Sequence, residues 1–189
     1  GIYTREGEFV GYFAESAVEQ PVSILYKDNK FYIFDVRPHQ VKVLDTAGKL
    51  LLSFGGRGIE PGKFKEPIGL NVDKDGNIYV PDSNNFRVQV FTPQGKLKKV
   101  WQGQGKENVD GYTVPRGISF DSKGFVWIAN TLAGGVSVSD AGGKRLALFA
   151  EGESENDSMT LPTSTFIDGN NRLYVTTHGD HRVLVYQIP

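Results

Sequence analysis

One sequence motif runs through the chain four times. "KFYIFDVRPHQVKVL" (Lys30 to Leu44), "NIYVPDSNNFRVQVF" (Asn77 to Phe91), "FVWIANTLAGGVSVS" (Phe125 to Ser139) and "RLYVTTHGDHRVLVY" (Arg172 to Tyr186) are variants of it. Before each copy a proline opens a short apolar stretch, at Pro21, Pro67, Pro115 and Pro162, spaced 46, 48 and 47 residues apart. After the first three copies comes a glycine-led stretch, "GKLLLSF" from Gly48, "GKLKKVW" from Gly95 and "GKRLALF" from Gly143. A relative of these, "GEFVGYF" from Gly7, precedes the first copy.

Each stretch is short, alternates apolar with polar residues, and is rich in Val, Ile, Tyr, Phe and Leu, which is the pattern of a strand. No helical period is present. "DKDGN" from Asp73, "DSKGF" from Asp121 and "DGNNR" from Asp168 lie between first and second strands; there Asp starts a turn and Gly or Asn accepts positive φ. One unit is therefore a four-stranded antiparallel meander of about 47 residues. Such a unit cannot cover both of its own faces. Four strands per unit at this period predict an all-β propeller, in which neighbouring blades cover each other.

The pattern P-x-G, then D-x-x-G-x-[IV]-Y-V-x-D-x-x-N-x-R-[VI]-x-V-F, then G-K, resembles the NHL repeat. Residues 67 to 101 match it almost position by position, and the units at Pro21, Pro115 and Pro162 match more loosely. The resemblance implies a β-propeller of NHL type with four four-stranded blades visible. It leaves function open, because similar proteins include RNA-binding modules, bacterial sensor domains, a metal-dependent amidating lyase and secreted bacterial proteins. An extracytoplasmic or secreted location is an expectation at the level of the family alone.

A chain of 189 residues can bury a core as one domain, and its 23 glycines suit many turns. The expected blades cover 15–55, 56–102, 103–150 and 151–189. Net charge of −1 gives no bulk attraction to nucleic acid or anionic lipid, and no apolar run approaches the ~20 residues of a membrane span. The absence of Cys excludes disulfides and thiolate metal sites. A basic cluster, Lys96, Lys98, Lys99 and Lys106 with Trp101, lies along a fourth strand, where lysines commonly guard an exposed edge. Opposing it is the acidic "EGESENDS" from Glu151, so no nucleic-acid partner is expected.

Residues at the same phase in every repeat read as packing. Tyr32, Tyr79, Trp127 and Tyr174 are predicted to fill the wedges between blades, and Asp73, Asp121 and Asp168 to cap hairpin turns. Function is expected where the repeats differ, in the loops from second to third strand and from blade to blade, which share one face of a propeller. The three histidines, His39, His178 and His181, all fall in the first set. Resemblance to the amidating lyase makes them candidates for a zinc held from different blades. However, Phe86 occupies the place of His39 and His181, which points to packing there, and His178 alone stands outside the pattern. A calcium-dependent lactonase-type channel finds only Asp35, Asp82 and Asn130 in matching places. No metal or cofactor is expected.

The remaining reading is a non-catalytic scaffold presenting variable loops to a protein or peptide partner, or to copies of itself. Its expected contact residues are Arg37, His39, Arg57, Asn84, Asn85, Phe86, Tyr112, Arg116, Asn130, His178 and His181, with Phe64 as a further exposed aromatic; aromatic and arginine side chains are enriched at interface hot spots. A metal-dependent propeller enzyme of lyase or lactonase type and an RNA-binding NHL module are the alternatives. The last blade ends after its third strand, so Gly7 to Ala14 is expected to pair with Arg182 to Gln187 and close the ring; the alternatives are an arc of a longer propeller and a propeller completed by another subunit.

Overall fold

A computed structural model describes residues 1–102, 111–149 and 159–188, which are all-β apart from two single 3₁₀ turns, Ser83–Asn85 and Thr131–Ala133. Strands β1 (Ile2–Tyr3) and β2 (Phe9–Gly11) form a small antiparallel sheet. The first blade follows as β3 (Pro21–Lys27), β4 (Lys30–Asp35), β5 (Gln40–Asp45) and β6 (Leu50–Gly55). The second is β7 (Asn71–Val72), β8 (Ile78–Asp82), β9 (Arg87–Phe91) and β10 (Leu97–Gln102). The third is β11 (Pro115–Phe120), β12 (Val126–Asn130), β13 (Gly135–Ser139) and β14 (Arg145–Phe149). The fourth comprises β15 (Pro162–Ile167), β16 (Arg172–Thr177) and β17 (Arg182–Gln187). All sheets are antiparallel meanders, as the repeats predict, and the chain is a β-propeller array of NHL type.

The middle strands of the first three blades are buried on both faces because one face packs back and the other forward, whereas β16 and β17 of the fourth alternate buried or half-buried with exposed residues. Tyr32, Phe34, Val41 and Val43 of the first blade meet Leu70, Val72, Ile78, Val80 and Phe91 of the second. Tyr79, Val88, Val90 and Trp101 then meet Ile118, Val126 and Ile128 of the third. Trp127, Val136 and Val138 meet Leu173, Val175 and Ile188 of the fourth. Three of the four second-strand aromatics are buried in these seams; Tyr174, in the last blade, is only half-buried.

The glycine after each of two repeat prolines allows the innermost strands to touch. A Cβ at Gly117 would lie 2.5 Å from both Cα of Ser164 and N of Thr165, and one at Gly69 would lie 2.8 Å from the carbonyl oxygen of Arg116. Only a residue without a side chain fits such an approach of backbone to backbone. The hairpin aspartates cap as expected. Asp73 Oδ1 accepts from the N–H groups of Asp75 and Asn77, Asp121 Oδ1 from Lys123 and Phe125, and Asp168 Oδ1 from Asn170 and Arg172.

Two expectations need correction. The fourth blade has three strands among the described residues, not four. Nor does the segment from Gly7 close the ring on Arg182 to Gln187: β2 pairs with β1, Tyr3 opposite Phe9 and Ile2 opposite Gly11. The reason is local. Residues 2–3 supply a third-strand partner only a short turn away, whereas closure would require a loop through the whole chain, and closure entropy grows with loop length. The acidic stretch from Glu151 and Lys106 of the basic cluster lie outside the described residues.

Candidate functional site

The second strand of each blade ends in a buried polar side chain, and the chain is pinned there. Asp35 accepts from the N–H groups of Glu19 and Gln20 at 2.8 and 2.7 Å. Asp82 accepts from Lys65 N–H at 2.7 Å, and Asn130 Oδ1 from Thr113 N–H at 2.6 Å. These donors belong to the segment entering the blade from its predecessor, so each buried acceptor ties a blade-to-blade loop to the loop leaving the second strand. Backbone bonds reinforce the tie: Val36 N–H donates to Gln20, Asn84 to Lys65, Leu132 to Thr113 and Gly179 to Thr160. The described parts of both loop sets thus lie on one face.

The charges beneath this face are neutralised in pairs. Lys42 Nζ lies 2.8 Å from Asp35 Oδ2 and donates to the carbonyl of Ala17. Burial pushes the Asp35 carboxyl up, but Lys42 and the two N–H donors outweigh it and hold it below the usual carboxylate range. In the second blade Arg87 Nε donates to Asp82 Oδ2, and its Nη groups donate to the carbonyls of Ile59, Glu60 and Lys63. Gln89 adds bonds to Asp82, Lys63 and the N–H of Gly62. The long 55–66 loop is therefore ordered from below by one guanidinium and one amide.

Several expected contact residues are in fact part of this foundation. Asn130 is fully buried, bonded to Thr113, Gly111 and Ser137. Tyr112 is buried in the seam of blades two and three, 3.1 Å from Ser139 Oγ, and burial pushes its phenol up. Phe64 is completely buried between Phe34 and Phe91, with ring centroids 5.6 Å from each. His39 is also buried; burial first, then the charge of Arg57, push its imidazole below its ordinary value. Arg116 is half-buried in β11 with its Nε enclosed and without a hydrogen-bond partner among the described residues.

What the face offers to solvent is narrower. Arg37, Arg57 and Phe86 are exposed, Asn84 and Asn85 half-exposed, and Ile59, Leu132 and Leu161 are exposed apolar neighbours in the same loops. Asn84 Nδ2 donates to Glu66 Oε2 at 2.6 Å, and Asn85 Nδ2 to the carbonyl of Gly58 and to Asp82. His178 and His181 are exposed together on the fourth blade, ring centroids 6.1 Å apart, separate from the buried His39 in the first. Among the described residues no three His, Cys, Asp or Glu side chains converge as a metal site would require. The corner residue at the third-strand entrance is left-handed in every blade: His39 at φ 54°, Phe86 at 54°, Gly134 at 68° and His181 at 56°.

The sequence contained an unused signal for the buried aromatics. Three residues before every repeat proline stands an apolar residue, Val18, Phe64, Tyr112 or Met159. The last three are buried and the first half-buried, so the position anchors the incoming loop and is not a display position.

Comparison with known proteins agrees with the architecture. Residues 64–91 match the NHL repeat, and they lie in the second blade of the β-propeller array. It is 28% identical over 169 residues to a probable peptidyl-alpha-hydroxyglycine alpha-amidating lyase, pgal-1, of Caenorhabditis elegans, covering 86% of this chain and 45% of that protein. It is 25% identical over 129 residues to the E3 ubiquitin-protein ligase TRIM32 of Homo sapiens, covering 62% and 19%. A solved structure of a protein of unknown function from Bacteroides caccae superposes with a TM-score of 0.72 at 18% identity, covering 97% of this chain and 69% of the other. The chain spans less than half the length of either curated relative.

Proposed function

We propose that the chain is a non-catalytic binding scaffold whose loop-bearing face holds a protein or peptide partner. The observation that carries this reading is the division of labour in the loops. Asp82, Arg87, Gln89 and Asn130 lock them from beneath, while Arg37, Arg57, Phe86 and Ile59 are left pointing to solvent. A preorganised surface with arginine and aromatic side chains loses little entropy on binding and has the composition of a hot spot. Alignment with a ubiquitin-protein ligase supports a protein as the partner. The test is affinity capture with immobilised chain, comparing the wild type with Arg37→Glu, Arg57→Glu and Phe86→Ala. A specific partner lost in these variants but retained by Lys74→Ala, in the hairpin at the opposite end of the strands, supports the proposal. A partner that binds all of them equally overturns it.

The second reading is a lyase-type propeller enzyme, favoured by the alignment with the amidating lyase across most of the chain. Turnover of a peptidyl-alpha-hydroxyglycine by the purified chain, lost in His178→Ala or His181→Ala, would replace the scaffold reading.

A further inference from the structure

The three seams between blades are bridged differently at the end of the strands away from the loop-bearing face. In the first seam Lys27 of β3 reaches across, and its Nζ donates to the carbonyls of Val72 and Asp73 at 2.8 Å each. In the third, Asn171 Oδ1 accepts from the N–H of Ser122 at 3.2 Å. The repeat places Asp73 in the second seam where Lys27 stands in the first, and Gly124 where Asn171 stands in the third. Neither residue can make the same bridge. A carboxylate has no hydrogen to donate, and glycine has no side chain.

At this point, between the second and third blades, there is a cavity of 380 Å³. Tyr79 and Phe120 form its aromatic wall, edge to face with ring centroids 5.0 Å apart. The carboxylates of Asp73, Asp75 and Asp121 line it against Lys74 and Lys123, two side chains that are themselves exposed. Burial first, then Asp73 and the charge of Asp75, push the Tyr79 phenol up to about 12; the share due to the carboxylates reflects a negative potential in the cavity. The carbonyls of Phe120 and Asp121 correspond in the repeat to those of Val72 and Asp73, which hold the Lys27 ammonium. Among the described residues no side chain donates to them.

We infer that the cavity between the second and third blades binds a primary alkylammonium group, the end of a free amine or of a protein lysine, in the position that Lys27 occupies one seam earlier. The ammonium hydrogens meet the carbonyls of Phe120 and Asp121, and the carboxylates supply the counter-charge. The methylene chain lies along Tyr79 and Phe120, whose rings accommodate both a cation and its apolar stem. The site is built by the second and third blades alone. It is independent of the scaffold reading, whose partner is held at the other end of the strands.

Titration of the isotope-labelled chain with butylammonium, followed by amide chemical shifts, tests the inference. Saturable shifts are expected at Asp75, Ser122 and Gly124, which line the cavity. Butanol is expected to bind about tenfold more weakly, the difference that one hydrogen bond to a charged group supplies. Asp73→Lys gives the seam a lysine of its own and is expected to weaken butylammonium binding by about tenfold or more. Because Asp73 also caps its hairpin, Gly124→Asn serves as a second variant with the same expectation: nothing lies within 4 Å of a Cβ there, and Asn171 adopts the same left-handed backbone at φ 61°. Circular dichroism checks that both variants fold. Tighter binding of Nα-acetyl-lysine methylamide than of butylammonium assigns the ligand to a protein lysine, and the reverse order to a free amine; either order supports the site. Butanol binding as tightly as butylammonium overturns the inference, as do an absence of saturable shifts at these amides and a folded Gly124→Asn variant that binds like the wild type.

Discussion

Arg87 Nε lies 2.8 Å from Asp82 Oδ2, with both side chains withdrawn from solvent, and with Gln89 this pair holds the longest described loop in place. The remaining guanidinium hydrogens reach three carbonyls of that loop. Removing the carboxylate leaves a buried cation without its counter-charge, which typically costs about 3–5 kcal/mol. Asp82→Ala is therefore expected to lower the urea midpoint severely, and adding Arg87→Met should recover part of the loss. A loss for Asp82→Ala below about 1 kcal/mol would show that the pair is dispensable.

Tyr79 and Phe86 are both aromatic and seven positions apart, but they belong to different environments. Tyr79 is buried against Trp101 and Phe120, with centroids 5.4 and 5.0 Å away, whereas Phe86 is 39% exposed at a loop corner. Truncating Tyr79 to Ala is expected to destabilise by about 3–5 kcal/mol, and Phe86→Ala by about 1 kcal/mol or less. Equal losses in chemical denaturation would place Phe86 in the core.

Acid titration should show two separate losses of stability. Folding depresses the His39 value below 6.5, mainly through burial and then through Arg57, so the unfolded chain binds the proton more readily. The contribution is complete above 6.5 and is lost as pH falls through the folded value. Asp35, depressed below 3.8 by Lys42 and its N–H donors against the effect of burial, acts by the same sign in a lower window. Stability measured against pH should lose its upper step in His39→Gln and keep the lower one. An unchanged upper step would remove His39 as its source.

Gly117→Ala adds one methyl group at a point where the third and fourth blades meet backbone to backbone. Neither Ser164 Cα nor Thr165 N can rotate away, so the innermost strands must separate. Overpacking of this kind typically costs about 1–3 kcal/mol. Thermal unfolding of the variant should show it, while Gly169→Ala, with nothing within 4 Å and an ordinary φ, should leave the midpoint nearly unchanged.

The strands, turns and blade seams were legible because one period serves both the local and the global structure. Alternation put Val88, Val90 and Tyr79 on one face, and the meander gave that face a neighbour. Phe64 and Tyr112 were misplaced for a different reason: they stand in segments without period, and loop residues were read as exposed. A loop that begins the next blade needs its own anchor, and that anchor repeats with the prolines, not with the strands. Asn130 was misread because a side chain that differs between repeats looks functional. Asp35, Asp82 and Asn130 instead accept the same type of N–H bond with different atoms. The pairing of β2 was hidden by competition between two partners of similar sequence, one close in the chain and one remote.

The left-handed corner at His39, Phe86, Gly134 and His181 prescribes a backbone shape but not a side chain. Imidazole, phenyl and a bare hydrogen all occupy it, although a Cβ in this conformation typically costs about 1–2 kcal/mol. His39 is buried, but at Phe86, Gly134 and His181 the corner is at least partly open to solvent, so three blades carry a socket whose tenant can be exchanged with little effect on the seams beneath. The third blade, with Gly134, holds an empty socket: Gly134→His or Gly134→Asn would place a new side chain at a site whose geometry is already fixed. An array of this design can change the side chains on its loop-bearing face one blade at a time, while every blade continues to fold in the same way.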